Sequence, residues 1–310
     1  MSPMDGKRRL LLLLVLVGLF GLSGAHCPNT LRQYTAPEPR ALPPSPTLEQ
    51  VIQVVNDNNS QIQTFSTTHA TLSVAGFPSL RADIAFQRPK SFRLRGDTAV
   101  TGPELDVGSN EQLFWFWIRR NQPPAVFYCP HDQFAGSAAR EMVPIEPELL
   151  VEALGTTELD PALPYHGPEI LPNDRLKLSS IRETVNGPMT KVMILDGARG
   201  WILEQHVYDA EGRNIASSTA SGHHRDPLTN LVMPTSVEIT CPTTDPPFSM
   251  RIHLGNVQIN RLANSQGQLW TMPSYPGSPW VDLSDPKIRR PSAISPPAVS
   301  RVPGRRPRLW

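Results

Sequence analysis

Long apolar runs are almost missing from this chain. The longest, LLLLLVLVGLFGL at residues 10–22, has thirteen residues. That is too short to cross a hydrocarbon core of about 30 Å as a helix, but it suits the apolar stretch of an export signal. Cysteine is scarce, with only Cys27, Cys129 and Cys241. They form no CxxC pair and no Cys/His cluster, which argues against a zinc site. The chain has no GxSxG elbow, no phosphate-binding P-loop, no HExxH and no glycine-rich dinucleotide loop. Its carboxylates are scattered and show no shared pocket signature. The expectation is a protein that is not an enzyme and uses no cofactor or metal. The formal net charge is +1, so no global field draws it to nucleic acid.

The charge is unevenly placed. Residues 281–310 carry seven Lys/Arg and two Asp, and the first nine residues carry three basic and one acidic. Residues 10–280 therefore sum to 1 − 5 − 2 = −6. The basic start and the apolar run after it read as a signal peptide over residues 1–26. The SGAHC stretch at 23–27 fits two processing patterns. Ser23-Gly24-Ala25 is a small-x-small site for cleavage before His26. Alternatively, Cys27 is a lipobox-type cysteine that would carry lipid and anchor the protein to a membrane, although Gly24 and His26 stand where Leu and a small residue are usual. Both patterns export the chain, to the periplasm or the outer membrane.

Proline is abundant, at 34 residues. Six lie in residues 28–46 and nine in 273–310. The first stretch, 27–46, reads as an extended tether, and the second, 273–310, as a disordered basic tail able to meet an anionic surface or a protein partner. Between them, 47–272 is the expected folded body, with no internal repeat. Cys129 and Cys241 each end an apolar, strand-like stretch just before a proline (AVFYCP and TSVEITCP). In an oxidising compartment they form either a disulfide or two buried thiols.

Thr47 with Gln50 has capping-box spacing, and Leu48, Val51, Ile52, Val55 and Ile62 keep helical spacing, so a helix starts at 48 even though Asn56 to Asn59 are weak helix formers. A second helical segment fits 147–154, with Pro147 in the first turn and Gly155 as its C-cap. The rest alternates as strands joined by hairpins at Asn186-Gly187, Asp196-Gly197 and Asp209 to Gly212. The expected class is mostly β (α+β): a strongly curved antiparallel sheet of about eleven strands forming an incomplete barrel, with helices covering its concave face. One strand is anomalous. LFWFWI at 113–118 is apolar at odd and even positions alike, so both of its faces need cover. The candidates are the 141–172 loop, the segment holding Trp270 and Trp280, a membrane, or a partner.

The order of these elements resembles the LolA/LolB lipoprotein-localisation family. That family has an amphipathic helix, an RPxxF-type segment and then a VSDGxxLWFY-type strand. Here they correspond to QRPKSFRLRG at 87–96 and DVGSNEQLFWFWI at 106–118, and the later YDAEGR and PTSVEIT stretches are similar to the family's back half. The resemblance spans most of 47–260. The Pro-rich tether, the basic tail and the long 131–172 loop depart from it. It implies an apolar cavity, roofed by helices, that accepts acyl chains of lipids or lipoproteins. It also implies that Arg88 hydrogen-bonds the lid helices and that Phe92 sits at the cavity mouth. The expected lining is Ile84, Phe86, Phe92 and Leu94 together with one register of the anomalous strand, taken as Leu113, Trp115 and Trp117. The alternative is a structural or sensory envelope protein of the same fold, in which side chains fill the cavity and the tail binds a partner.

Overall fold

A computed structural model describes residues 38–75, 77–143, 147–184, 187–262 and 267–288. From Pro39 onward they belong to one compact unit. The expected signal peptide, Cys27, the start of the tether and the tail beyond 288 lie outside the described residues.

Helix α1 (Leu48–Asn59) starts as the capping box requires. The Gln50 amide donates to Thr47 Oγ1 at 3.3 Å and the Thr47 amide donates to Gln50 Oε1 at 2.9 Å, so two otherwise orphaned donors are satisfied. Two short helices come later, α2 (Ala139–Met142) and α3 (Pro147–Val151). A further turn at Glu152–Thr156 extends α3, and Gly155 ends it at φ 101°, a backbone conformation that glycine tolerates best. Among the described residues, no helix is long and apolar enough to cross a membrane.

The strands in chain order are β1 (Thr64–Val74), β2 (Leu80–Gln87), β3 (Ser91–Thr98), β4 (Gly102–Ser109), β5 (Leu113–Ile118), β6 (Val126–Pro130), β7 (Tyr165–Leu171), β8 (Arg175–Thr184) and β9 (Gly187–Asp196). They continue as β10 (Ile202–Tyr208), β11 (Asn214–Ser221), β12 (His224–Arg225), β13 (Val232–Met233), β14 (Ser236–Cys241), β15 (Phe248–His253), β16 (Gln258–Ile259) and β17 (Trp280–Asp282). Fifteen of them form one curved sheet in the order β17-β6-β5-β4-β3-β2-β1-β15-β14-β11-β10-β9-β8-β7, with β16 also on β1. The sheet does not close into a barrel. Its pairs are antiparallel except β17 on β6. The count exceeds the expected eleven because β7, β16 and β17 are too short or too polar to announce themselves by alternation.

The two largest apolar cores among the described residues lie along the sheet. Ile84, Phe86, Phe92 and Leu94 join Phe65, Leu72, Ile239 and Ile252 with Leu150 and Leu154 from the α3 segment. Val51, Ile52 and Val55 of α1 pack with Leu159, Leu176, Leu178 and Leu195 at the β7–β9 end.

The folded body is wider than 47–272. Leu42 is 2% exposed in the α1 core, and the Ala41 and Leu42 amides both donate to the Ala198 carbonyl. At the other end β17 extends the sheet and Leu283 is fully buried. Proline density hid these segments, because one leucine in each provides the anchor.

Candidate functional site

The β2–β3 hairpin tip carries Arg88 to the ends of both helical segments. Its Nε donates to the Ile62 carbonyl at 2.9 Å, and its Nη2 donates to the carbonyls of Asn59 at 2.7 Å and Thr156 at 2.9 Å. Nη1 pairs with Glu158 at 2.7 Å. Burial lowers the guanidinium pKa, and Glu158 opposes that shift; an arginine remains charged regardless. A cation at the last carbonyls of a helix also meets the negative end of its dipole. One side chain thus ties the end of α1 to the end of the α3 segment.

The asparagine run reinforces this clasp. Asn56 Nδ2 donates to the Leu159 carbonyl and its Oδ1 accepts from the Leu159 amide, both at 2.8 Å. Asn58 pairs in the same two-way manner with Val232, at 2.9 and 2.8 Å. Asn59 Nδ2 donates to the Thr157 carbonyl at 2.6 Å. Read as helix propensity, these residues are weak. Their role is to offer amides that imitate backbone pairing across to other segments. A run of asparagine at the end of an otherwise good helix is the signal that sequence reasoning passed over.

Beneath the clasp lie Ile84, Phe86, Phe92 and Leu94, brought together as expected and each at most 2% exposed. Phe92 is therefore not at an open mouth; it is part of a closed floor that it shares with Leu150, Ala153 and Leu154.

Leu113, Trp115 and Trp117 are not part of that floor. Phe92 pairs with Ser109 and Ser109 with Phe114, while Leu94 pairs with Val107 and Val107 with Phe116. Paired residues share a face, so Phe114 and Phe116 lie on the side of Phe92 and Leu94. The expected register is one residue out, which moves all three residues to the other face. There Arg93 forks onto Asp106, Nε to Oδ1 at 2.8 Å and Nη2 to Oδ2 at 2.6 Å, and its Nη1 donates to the carbonyls of Leu269 and Thr271 at 2.9 Å. The Tyr275 hydroxyl donates to Asp106 Oδ2 at 2.7 Å. Burial first, then that carboxylate, raise the tyrosine's pKa. Trp117 Nε1 donates to Ser278 Oγ at 3.1 Å. Gly108 makes room for Trp115, since a Cβ there would sit 2.1 Å from the indole. The C-terminal segment around Tyr275 thus covers one face of β5. Phe134, Ala139 and Leu283 pack with Phe114 on the other.

Cys129 and Cys241 are both free and buried. Cys129 is on β6 and Cys241 on β14, seven strand steps apart in the sheet, and they belong to separate apolar clusters. The two thiols are not bridged in this structure. His223 stacks on Trp201 with ring centres 4.9 Å apart.

Solved structures align with this chain at low identity. A crystallised domain from Vibrio parahaemolyticus named for outer membrane lipoprotein sorting aligns at TM-score 0.48 and 10% identity, covering 73% of this chain and 100% of its own. A DUF1329 family protein from Desulfovibrio piger aligns at 0.47 and 14% identity, covering 69% and 93%. A LolA superfamily protein from Nitrosomonas europaea aligns at 0.43 and 9% identity, covering 73% and 97%. No protein-family model matches the chain, and no curated protein sequence matches it.

Proposed function

We propose that this is a non-enzymatic, exported envelope protein that binds acyl chains of lipids or lipoproteins on the floor formed by Ile84, Phe86, Phe92 and Leu94, under the α3 segment. The observation that carries this reading is the Arg88 clasp, which ties the end of α1 to the α3 segment that packs on that floor. The LolA-like motif order assigned this same residue to lid contact.

The magnitudes are compatible with exchange. Exposing four such side chains costs about 6–12 kcal/mol, and burying about a dozen CH2 groups of a chain returns about 10 kcal/mol. With the two so close, the hydrogen bonds of a charged clasp, about 1.5–3 kcal/mol each, set the bias towards closure. Lipidation at Cys27 would make the protein an anchored acceptor, and cleavage before His26 would make it a soluble carrier. The basic tail would add attraction to anionic surfaces.

Arg88→Ala tests the reading. Titrated with a fluorescent fatty-acyl probe, the variant should bind more tightly or faster than wild type, because closure competes with ligand. Equal binding, or none by either protein, counts against an acyl site.

A second reading is favoured by the filled floor: Leu150, Leu154, Leu231 and Met233 already occupy the concavity. On that reading the protein is a structural or sensory module with its core permanently closed. Gentle extraction with subsequent native mass spectrometry separates the two, since only the first leaves lipid on the protein.

A further inference from the structure

One cavity stays open beside the clasp. It has a volume of about 320 Å³ and lies between the second half of α1, the start of β10 and the β12–β13 hairpin. That is the lower end of the range for small-molecule sites. Its lining mixes apolar and polar side chains. Val55 belongs to the core under α1, Leu231 belongs to the core beneath the clasp, and both line the cavity. Its rim is charged by Arg199, Arg225 and Asp57. Burial lowers the pKa of the lining residue His223, with its Ile202 backbone bond and Asp196 opposing, so the arginines supply the positive charge.

Both arginines are held in place. The Arg199 guanidinium lies 5.0 Å from the Trp201 ring centre and its Nη1 pairs with Asp196 at 3.0 Å. Arg225 Nη1 donates to the Asn230 carbonyl at 2.6 Å. Cations fixed in advance lose little side-chain freedom on meeting an anion. Asn58 and Asn59 also line the cavity, and they are the residues that latch α1 to Val232, to Thr157 and, through the Asn59 carbonyl, to Arg88.

The geometry points to this cleft as the site for the oxyanion of an amphiphile, a phosphate or carboxylate group held by Arg199 and Arg225, with the adjoining chain running over Val55 and Leu231. The oxyanion site stands on the cleft itself. Its assignment to a lipid headgroup rests on the acyl-chain function proposed for the floor under the clasp. Because the latch residues form one wall, an occupied cleft would press on the contacts that keep α1 closed.

Calorimetric titration of the full-length protein tests this with three ligands: glycerol 3-phosphate, monomeric dihexanoyl phosphatidylglycerol, and an uncharged alkyl maltoside. The Arg199→Gln/Arg225→Gln protein should lose about tenfold in affinity for both phosphate ligands and keep its affinity for the maltoside, as removal of charge-assisted hydrogen bonds requires. Asp57→Asn should bind both phosphates more tightly, a gain that misfolding cannot mimic. Phosphatidylglycerol binding well above glycerol 3-phosphate assigns the cleft to a lipid headgroup. Equal binding of the two, with the same charge dependence, keeps the oxyanion site, assigns it to a soluble phosphate and removes the lipid source. Maltoside binding with no phosphate binding by wild type overturns the cleft proposal and leaves the acyl site standing. Phosphate affinities indifferent to all three substitutions also overturn it.

Discussion

Trp117 and Tyr275 lie ring on ring, with centres 3.9 Å apart and planes 12° from parallel. The tryptophan comes from β5 and the tyrosine from a segment that composition alone assigned to a disordered tail. This contact is one half of how a strand with two apolar faces stays hidden from water.

Truncation measures that cover. Ending the chain after Ile288 keeps Tyr275, Ser278, β17 and Leu283 in place, and the melting temperature should stay at the wild-type value. Ending it after Met272 removes all of these, bares Trp117 and leaves the buried Asp106 without its tyrosine donor. Thermal unfolding should then show a loss of several kcal/mol, with Trp117→Ala alone costing about 3–5 kcal/mol. If both truncations melt together, the segment contributes nothing to the fold.

Much of the site could be read from the sequence, and its failures have definite causes. The contact of Arg88 with the helices was implied only by the family resemblance, while the capping box at Thr47 and the C-cap at Gly155 rest on local spacing, which survives folding. The register of β5 does not. Leu113, Trp115 and Trp117 are as apolar as Phe114, Phe116 and Ile118, so alternation carries no information there. Only the cross-strand partners Ser109 and Val107 decide it. Leu42 and Leu283 were lost because a single anchoring side chain among prolines leaves no periodic trace.

Phe92→Glu separates a closed floor from an open mouth. At a mouth the charge would keep its water and the fold would tolerate it. Phe92 is instead buried in the main core, so an ionised carboxylate there has neither partner nor solvent. Circular dichroism on heating should show a melting temperature far below wild type, recovering in part in acid as the carboxyl protonates. Near-wild-type melting at neutral pH would place Phe92 at the surface.

The thiols carry a pH-dependent signature. Burial pushes Cys241 up to about 11, and it raises Cys129 in the same direction. Because the native state holds the Cys241 proton more tightly than the unfolded chain, this thiol's contribution to stability is complete below the ordinary thiol range and is lost as pH rises from about 9 to about 11. Alkylation of the native protein should be slow at neutral pH and accelerate through that window. Denatured, unreduced protein should take up label at both Cys129 and Cys241; label at neither would show that they are bridged.

The most direct test is where an acyl chain lands. Full-length protein is saturated with a fatty acid bearing a photoactivatable diazirine near its methyl end, irradiated and digested, and the adducts are mapped by mass spectrometry. The expected adducts fall on the floor peptides spanning Ile84–Leu94 and on Leu150–Leu154, and they increase in Arg88→Ala. Adducts confined to the Trp115 and Trp117 face, or none on any core peptide at saturating probe, would contradict an acyl site beneath the Arg88 clasp.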